Sequence, residues 1–290
     1  MKSISIKVNR KSQMSPANLI AHIILIIAVI VAGFPIFFTI MGSGRSTQDL
    51  LANPDAIIPE VFVFDNFVQA WNLANFGQFT FNSLFLAFFI VLGTIVTCTV
   101  AAYCFDRGKF KGKEILFAIV LSSMFISAGS LTLFPILRIA QFFGINQSLW
   151  GVIIVRVLGI NVAMLFIARS YISTIPKEMD EAAKIDGCSF FGTFIYIIFP
   201  MLKPLVATIG ILTFRSAWND YMLPLVFTMA NPDRMPLVVG VVNLRNMGET
   251  AANWTLMLAG TSISIIPMII VFLVFNKQFI SGLSEGGIKG

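Results

Sequence analysis

The sequence predicts an all-α integral membrane protein with six transmembrane helices and both termini in the cytoplasm. Three observations lead there. Of the 290 residues, 57% are hydrophobic and 12% charged, whereas a soluble domain is about a quarter charged. Apolar runs long enough for a bilayer, about 20 residues each, recur along the chain. The basic residues fall in alternate segments between those runs, as the positive-inside rule requires.

Taken in order, the expected spans are 17–40, 81–105, 115–137, 150–171, 205–227 and 256–275, in one transmembrane domain covering 1–290. Lys2, Lys7, Arg10 and Lys11 precede the first run and imitate a signal peptide. The run is too long for a signal core and no small-residue cleavage site follows, so it reads as the first span. Segment 41–80 carries Asp49, Asp55, Glu60, Asp65 and Trp71, and Asn53-Pro54 and Pro59 mark it as a loop or short helices. Segment 228–254 is a second long connection, with Asn231-Pro232-Asp233 before an apolar stretch at 237–242. Long ordered connections of this kind often bind something.

Charge fixes the sides. The segments assigned inside hold the four N-terminal cations, then Arg107, Lys109, Lys111 and Lys113, then Lys177, Lys184 and Lys203, then Lys277 and Lys289. The outer segments hold Arg45, Arg138, Arg234 and Arg245. The net charge of +6 is thus explained by topology, and nucleic acid is not expected as a partner. Cys98, Cys104 and Cys188 are too scattered for a disulfide framework. His22 is the single histidine and lies in an apolar run, which argues against a metal site. The lysine-rich stretch 108–114 has the wrong spacing for a nucleotide-binding loop, so any ATP and magnesium bind another chain. Paired carboxylates and nucleophile–base sets are missing from the sequence, so no catalytic residue is assigned.

The most polar stretch of the C-terminal half is the loop 174–200. Pro176 suits a helix start, and Glu178, Asp180 and Glu181 complement the helix dipole there. Gly187 supplies a residue able to take positive φ and stop the helix. Ser189 caps a second short helix that is expected to end before Pro200. Glu181, Ala182, Ala183, Gly187, Ile197 and Pro200 resemble the EAA loop of ABC importer permeases, with Phe199 where leucine is usual. Asn82-Ser83, Ala101-Ala102-Tyr103 with Arg107, Trp218-Asn219-Asp220-Tyr221 before Pro224-Leu225, and the tail from Phe279 to Gly290 are similar to the maltose-type, carbohydrate-uptake branch of that family.

The resemblance implies an inner-membrane permease that pairs with a second, related permease above two copies of a cytoplasmic ATPase subunit. An extracytoplasmic solute-binding protein would deliver the carbohydrate, an oligosaccharide by the family's habit, and ATP and magnesium would sit in the ATPase subunits. It makes Glu178, Glu181, Ala182, Ala183, Asp186 and Gly187 the coupling surface, and it lets the loop 228–254 reach the binding protein. Two other classes stay open at this stage: a secondary transporter, and a membrane-embedded enzyme acting on lipid-linked sugar.

Charges within apolar spans are costly, and they mark function or interhelical bonding. Arg156, Arg215 and Asp220 are the candidates, and Trp218, Asn219 and Tyr221 add stacking and hydrogen-bonding groups suited to sugars. Arg169 can snorkel to the inner face. Counting about 1.5 Å per residue, Arg156 and Asp220 lie at similar depths, which predicts an ion pair between the fourth and fifth spans. Arg215, five residues before Asp220, is the rival partner.

Overall fold

The computed structural model describes residues 16–126, 129–244 and 252–287, and it shows α-helices with no strand among them. Lys2, Lys7, Arg10, Lys11, Arg245 and Lys289, which entered the charge count, lie outside the described residues. In chain order the helices are α1 (Pro16–Ser43), α2 (Thr47–Ala52), α3 (Asp65–Leu73) and α4 (Phe76–Arg107). Then come α5 (Lys113–Ser122), α6 (Leu133–Phe142), α7 (Leu149–Leu158), α8 (Val162–Ser173) and α9 (Glu178–Ile185). Last are α10 (Phe190–Met201), α11 (Lys203–Trp218), α12 (Met222–Thr228), α13 (Leu237–Leu244) and α14 (Ala252–Gly287).

Three of these, α1, α4 and the Trp254–Val274 part of α14, are each long and apolar enough to cross a bilayer unaided. They match the expected first, second and sixth spans, though α4 starts five residues earlier than the predicted 81. The other three expected spans are not continuous helices. The run 115–137 is interrupted between α5 and α6 by tight 3-10 turns at Ser123–Phe125 and Gly129–Thr132. The run 150–171 breaks at residues 159–161, where α7 and α8 meet at 47°. The run 205–227 breaks at residues 219–221, between α11 and α12.

The loop 174–200 folds as expected up to Gly187. Glu178, Asp180 and Glu181 occupy the first turn of α9. Gly187 takes φ +81°, and its N–H bonds to the carbonyl of Lys184 (3.0 Å) while the N–H of Cys188 bonds to that of Ala183 (2.9 Å). This is a Schellman stop, which satisfies the last carbonyls of the helix. Ser189 caps α10, its Oγ accepting from the N–H of Gly192. The second helix does not end before Pro200: α10 runs through it to Met201. A π-helical stretch, Phe194–Ile198, lies directly ahead of the proline. A proline ring presses on the carbonyl four residues back, and the wider turn makes room there. α10 then meets α11 at 78°.

α4 is the centre of the bundle, packed by α7, α8 and α11 along its length. At about 1.5 Å per residue it is roughly 48 Å long, well beyond a hydrocarbon core of about 30 Å. Its buried stripe includes Leu86, Ile90, Thr94, Cys98, Ala102 and Tyr103. Gly93 allows close approach of α7, since a Cβ there would stand 2.4 Å from Val157 Cγ2.

The segment 41–80 is organised around Arg45, which is 1% exposed. Its guanidinium donates to the Asp49 carboxylate (2.7 Å) and to the carbonyls of Asp49, Asn53 and Ala56. That pairing holds the Asp49 carboxyl below the usual range. Asn66 closes the fold by donating to the carbonyls of Ser43 and Arg45. The apolar stretch in the second long connection is the helix α13, with Leu237, Val239 and Val241 buried against α4 and α14.

Candidate functional site

Two places gather the residues singled out in the sequence. The first is α9. One of its faces is fixed to the bundle by Asp180, whose carboxylate pairs with Arg107 Nε at 3.0 Å and accepts from the Tyr103 hydroxyl at 3.2 Å. Arg107 also donates to Asp106 (2.7 Å) and to the carbonyls of Ile175 (2.5 Å) and Ile172 (3.4 Å), which satisfies the end of α8. The Tyr103 hydroxyl lies 3.3 Å from the carbonyl of Phe190, and its ring rests on Phe190 and Phe194. Ala183 is also turned inward and buried. The small side chain lets α9 lie close to the bundle, and it is not part of the outer surface.

The opposite face of α9 is free. Glu178, Glu181, Ala182 and Asp186 are exposed, as is Gly187 at the turn. Ile185 stands 87% exposed among them. With Glu178, Glu181 and Ile185 spaced three and four apart, the helix offers an acidic and apolar strip on one side. Of the six residues predicted for coupling, five are therefore on the free surface. Sequence reading missed Ile185 as the apolar knob, and it missed the anchor Asp180, which was noted only as one of three acids in a first turn.

The second place is a cleft of about 530 Å³ where the interrupted spans meet. Thr132 comes from the break before α6, Arg156 from the last turn of α7, and Asn161 from the break between α7 and α8. Thr213 and Ser216 come from α11, and Thr94 from α4. Asn161 Oδ1 accepts from the N–H of Met164 and so caps α8 at the cleft. Ile160 beside it takes φ +31°. Thr213 is 3% exposed, and its hydroxyl has no hydrogen-bond partner among the described residues. Irregular backbone at membrane depth is tolerated where it lines a cavity.

Arg156 and Asp220 form the expected ion pair: Nε and Nη2 both donate to Asp220 Oδ2, at 2.8 and 2.5 Å. It spans the two breaks, tying the end of α7 to the residue between α11 and α12. Arg215 does not take Asp220; it is exposed and its side chain has no partner among the described residues. Asn219 is exposed and donates its amide to the carbonyl of Arg215 (2.8 Å), so it ends α11. Trp218 is buried, stacked on Phe214, and Tyr221 packs on the same apolar cluster. Neither ring faces the cleft. The hydroxyl and amide groups that do face it, from Thr94, Asn161, Thr213 and Ser216, were not foreseen. Gly159-Ile160-Asn161 inside an apolar run was the available signal, since Gly and Asn favour a break.

A membrane bundle of this build, with a polar cleft at helix breaks and an amphipathic helix held on one face and free on the other, fits a transport permease. The chain belongs to the family described as the binding-protein-dependent transport system inner membrane component, whose family model matches residues 109–283. It is accordingly a multi-pass protein of the bacterial inner membrane and a subunit of ABC transport systems. It is 31% identical to the arabinooligosaccharides transport system permease protein AraQ of Bacillus subtilis, over 89% of this chain and 90% of that one. It is 32% identical to the melibiose/raffinose/stachyose import permease protein MelC of the same organism, over 93% and 97%. Its fold is similar to a chain in the crystal structure of a bacterial ABC transporter involved in the import of the acidic polysaccharide alginate, with TM-score 0.77, 22% identity, and coverage of 96% of this chain and 100% of that one. These relatives favour the importer subunit over the secondary transporter and the lipid-linked-sugar enzyme.

Proposed function

We propose that this chain is one permease subunit of an ATP-driven importer and that its cargo is a carbohydrate, delivered by an extracytoplasmic binding protein. The observation that carries the reading is α9: one face is locked to the bundle by Asp180 while the other presents Glu178, Glu181, Ala182 and Ile185. A helix so held passes a push to the membrane helices instead of yielding. The sugar transport named for AraQ and MelC supports the cargo class. In this reading two copies of an ATPase subunit bind ATP and magnesium below the membrane, and a second related permease completes the path. The cleft lined by Arg156, Asn161, Thr213 and Ser216 belongs to that path, with Asp220 tied to it through Arg156.

The reading has six spans, α1, α4, α5–α6, α7–α8, α11–α12 and α14, with both ends cytoplasmic. It places Gln48 outside and Lys111 inside, and both are exposed. In a chain without Cys98, Cys104 and Cys188, a cysteine at Gln48 should react with an impermeant maleimide added to intact cells. A cysteine at Lys111 should react only after the membrane is opened. Labelling of the Lys111 position from outside would reverse the topology and remove α9 from the reach of any cytoplasmic ATPase.

A further inference from the structure

A second polar cleft, of about 360 Å³, lies between the α4–α5 connection and α9, with the start of α10 beside it. Lys109 and Lys113 line it from the first side, Lys177 and Lys184 from the second, and Phe190 and Thr193 from α10. Asp106 and Asp180 also line it, but both are spent on Arg107. Four lysines are then left against Glu181. Lys113 is held in place, its ammonium 3.2 Å from the Asp106 carbonyl. Its other neighbour, Glu114 at 3.7 Å, is already taken by Arg169. Lys109, Lys177 and Lys184 are exposed and enter no ion pair among the described residues. Like charges gathered at one cleft repel each other until an anion joins them.

α10 carries apolar side chains on both of its sides. Phe194 and Ile198 are buried in the bundle, while Phe191, Ile195 and Phe199, spaced four apart, are exposed. Tyr196 is 77% exposed beside them. α10 stands at 78° to α11, which begins a span, so it runs close to the membrane plane. A helix in that orientation with large apolar residues on its outer face lies at the boundary of headgroups and acyl chains, where tyrosine is also favoured.

We propose that this cleft and the outer face of α10 together bind one anionic phospholipid of the inner leaflet. Its phosphate sits among Lys109, Lys113, Lys177 and Lys184, and its acyl chains lie along Phe191, Ile195 and Phe199. Basic pockets at the cytoplasmic ends of membrane helices take such headgroups. Lysine suits the task, because its stem follows apolar surface while the ammonium stays at headgroup level. A free phosphate would meet the same charges but use none of the apolar face that continues from Phe190. The bound lipid joins α9 to the α4–α5 connection, whose lysines otherwise repel one another. The site needs only this chain and the inner-side placement of α9 proposed above; it needs no ATPase.

The test uses the full chain, purified through a tag with whatever subunits accompany it, in a neutral detergent and freed of lipid. It is titrated with dioleoylphosphatidylglycerol or dioleoylphosphatidylcholine, and the lipids retained are counted by native mass spectrometry. One phosphatidylglycerol should bind about tenfold or more tightly than phosphatidylcholine, the scale set by a few lysines at a headgroup. Lys177→Gln with Lys184→Gln should remove most of that preference. Lys111→Gln with Lys203→Gln removes as much charge from exposed lysines outside the cleft and should leave it intact. Phe191→Gln with Ile195→Gln should weaken phosphatidylglycerol severalfold, and millimolar inorganic phosphate should not displace the lipid. Equal loss in both lysine pairs overturns the site, since diffuse surface charge then suffices, as does a parent without preference. Full displacement by inorganic phosphate, or no change in the α10 variant, makes it a site for a free anion and overturns the lipid. A parent chain recovered without an ATPase counts against the importer reading alone, because the lipid is counted on this chain.

Discussion

Gly187→Pro abolishes uptake while leaving the chain in the membrane. Proline fixes φ near −65°, whereas this position needs +81°. It also removes the N–H that bonds to the Lys184 carbonyl, so the Schellman stop is lost and α9 and α10 can no longer meet at their angle. Gly187→Ala is the milder control. A Cβ there meets nothing within 4 Å, so its cost is confined to the left-handed backbone, about 1–2 kcal/mol. Glu181→Lys tests the free face without touching the fold, because that side chain is exposed. It should insert normally and lose both ATPase co-purification and uptake. Immunoblots of membranes separate insertion from docking, and transport by reconstituted vesicles gives the readout. Full uptake in both Gly187→Pro and Glu181→Lys would show that α9 is not where force enters.

Reversing either member of the Arg156–Asp220 pair gives the second large effect. Removing one partner of a buried pair costs about 3–5 kcal/mol. The Arg156 side chain is 46% exposed, so solvent reduces this to about 1–2 kcal/mol, or roughly tenfold in the population of the tied state. Arg156→Asp and Asp220→Arg should each lower uptake by about that factor, and the double swap should recover part of it. Assembly, measured by co-purification of the ATPase, should hold in all three. Silent single changes, or a double swap worse than either, would show that the pair does not secure the two breaks during transport.

Much of this was legible in the sequence where chemistry is local. The continuous apolar runs of α1, α4 and α14 declare themselves, and so does the α9 turn, because proline, acids, glycine and a capping serine each act within a few residues. The breaks were hidden. Both halves of each interrupted span are apolar, so a hydropathy window averages across residues 159–161 and 219–221 and sees one helix. The cleft that depends on those breaks was hidden with them. Depth counting found the Arg156–Asp220 pair because adjacent antiparallel spans meet at known heights. It could not say that Trp218 turns into the core, since rotation about a helix axis is set by packing on Phe214 and its neighbours. Asp180 and Arg45 escaped for a related reason: each looks like a solvated surface charge until distant backbone encloses it.

In the proposed function this chain transports by borrowing ATP hydrolysis from another subunit. Affinity purification of the tagged chain from its native membrane, followed by subunit identification and an ATPase assay, tests it most directly. The account predicts two copies of an ATPase subunit and one related permease for each tagged chain, with hydrolysis that survives in the pool and is released from the tag by Glu181→Lys. A tagged chain recovered without an ATPase, under detergent that leaves it folded, would contradict it.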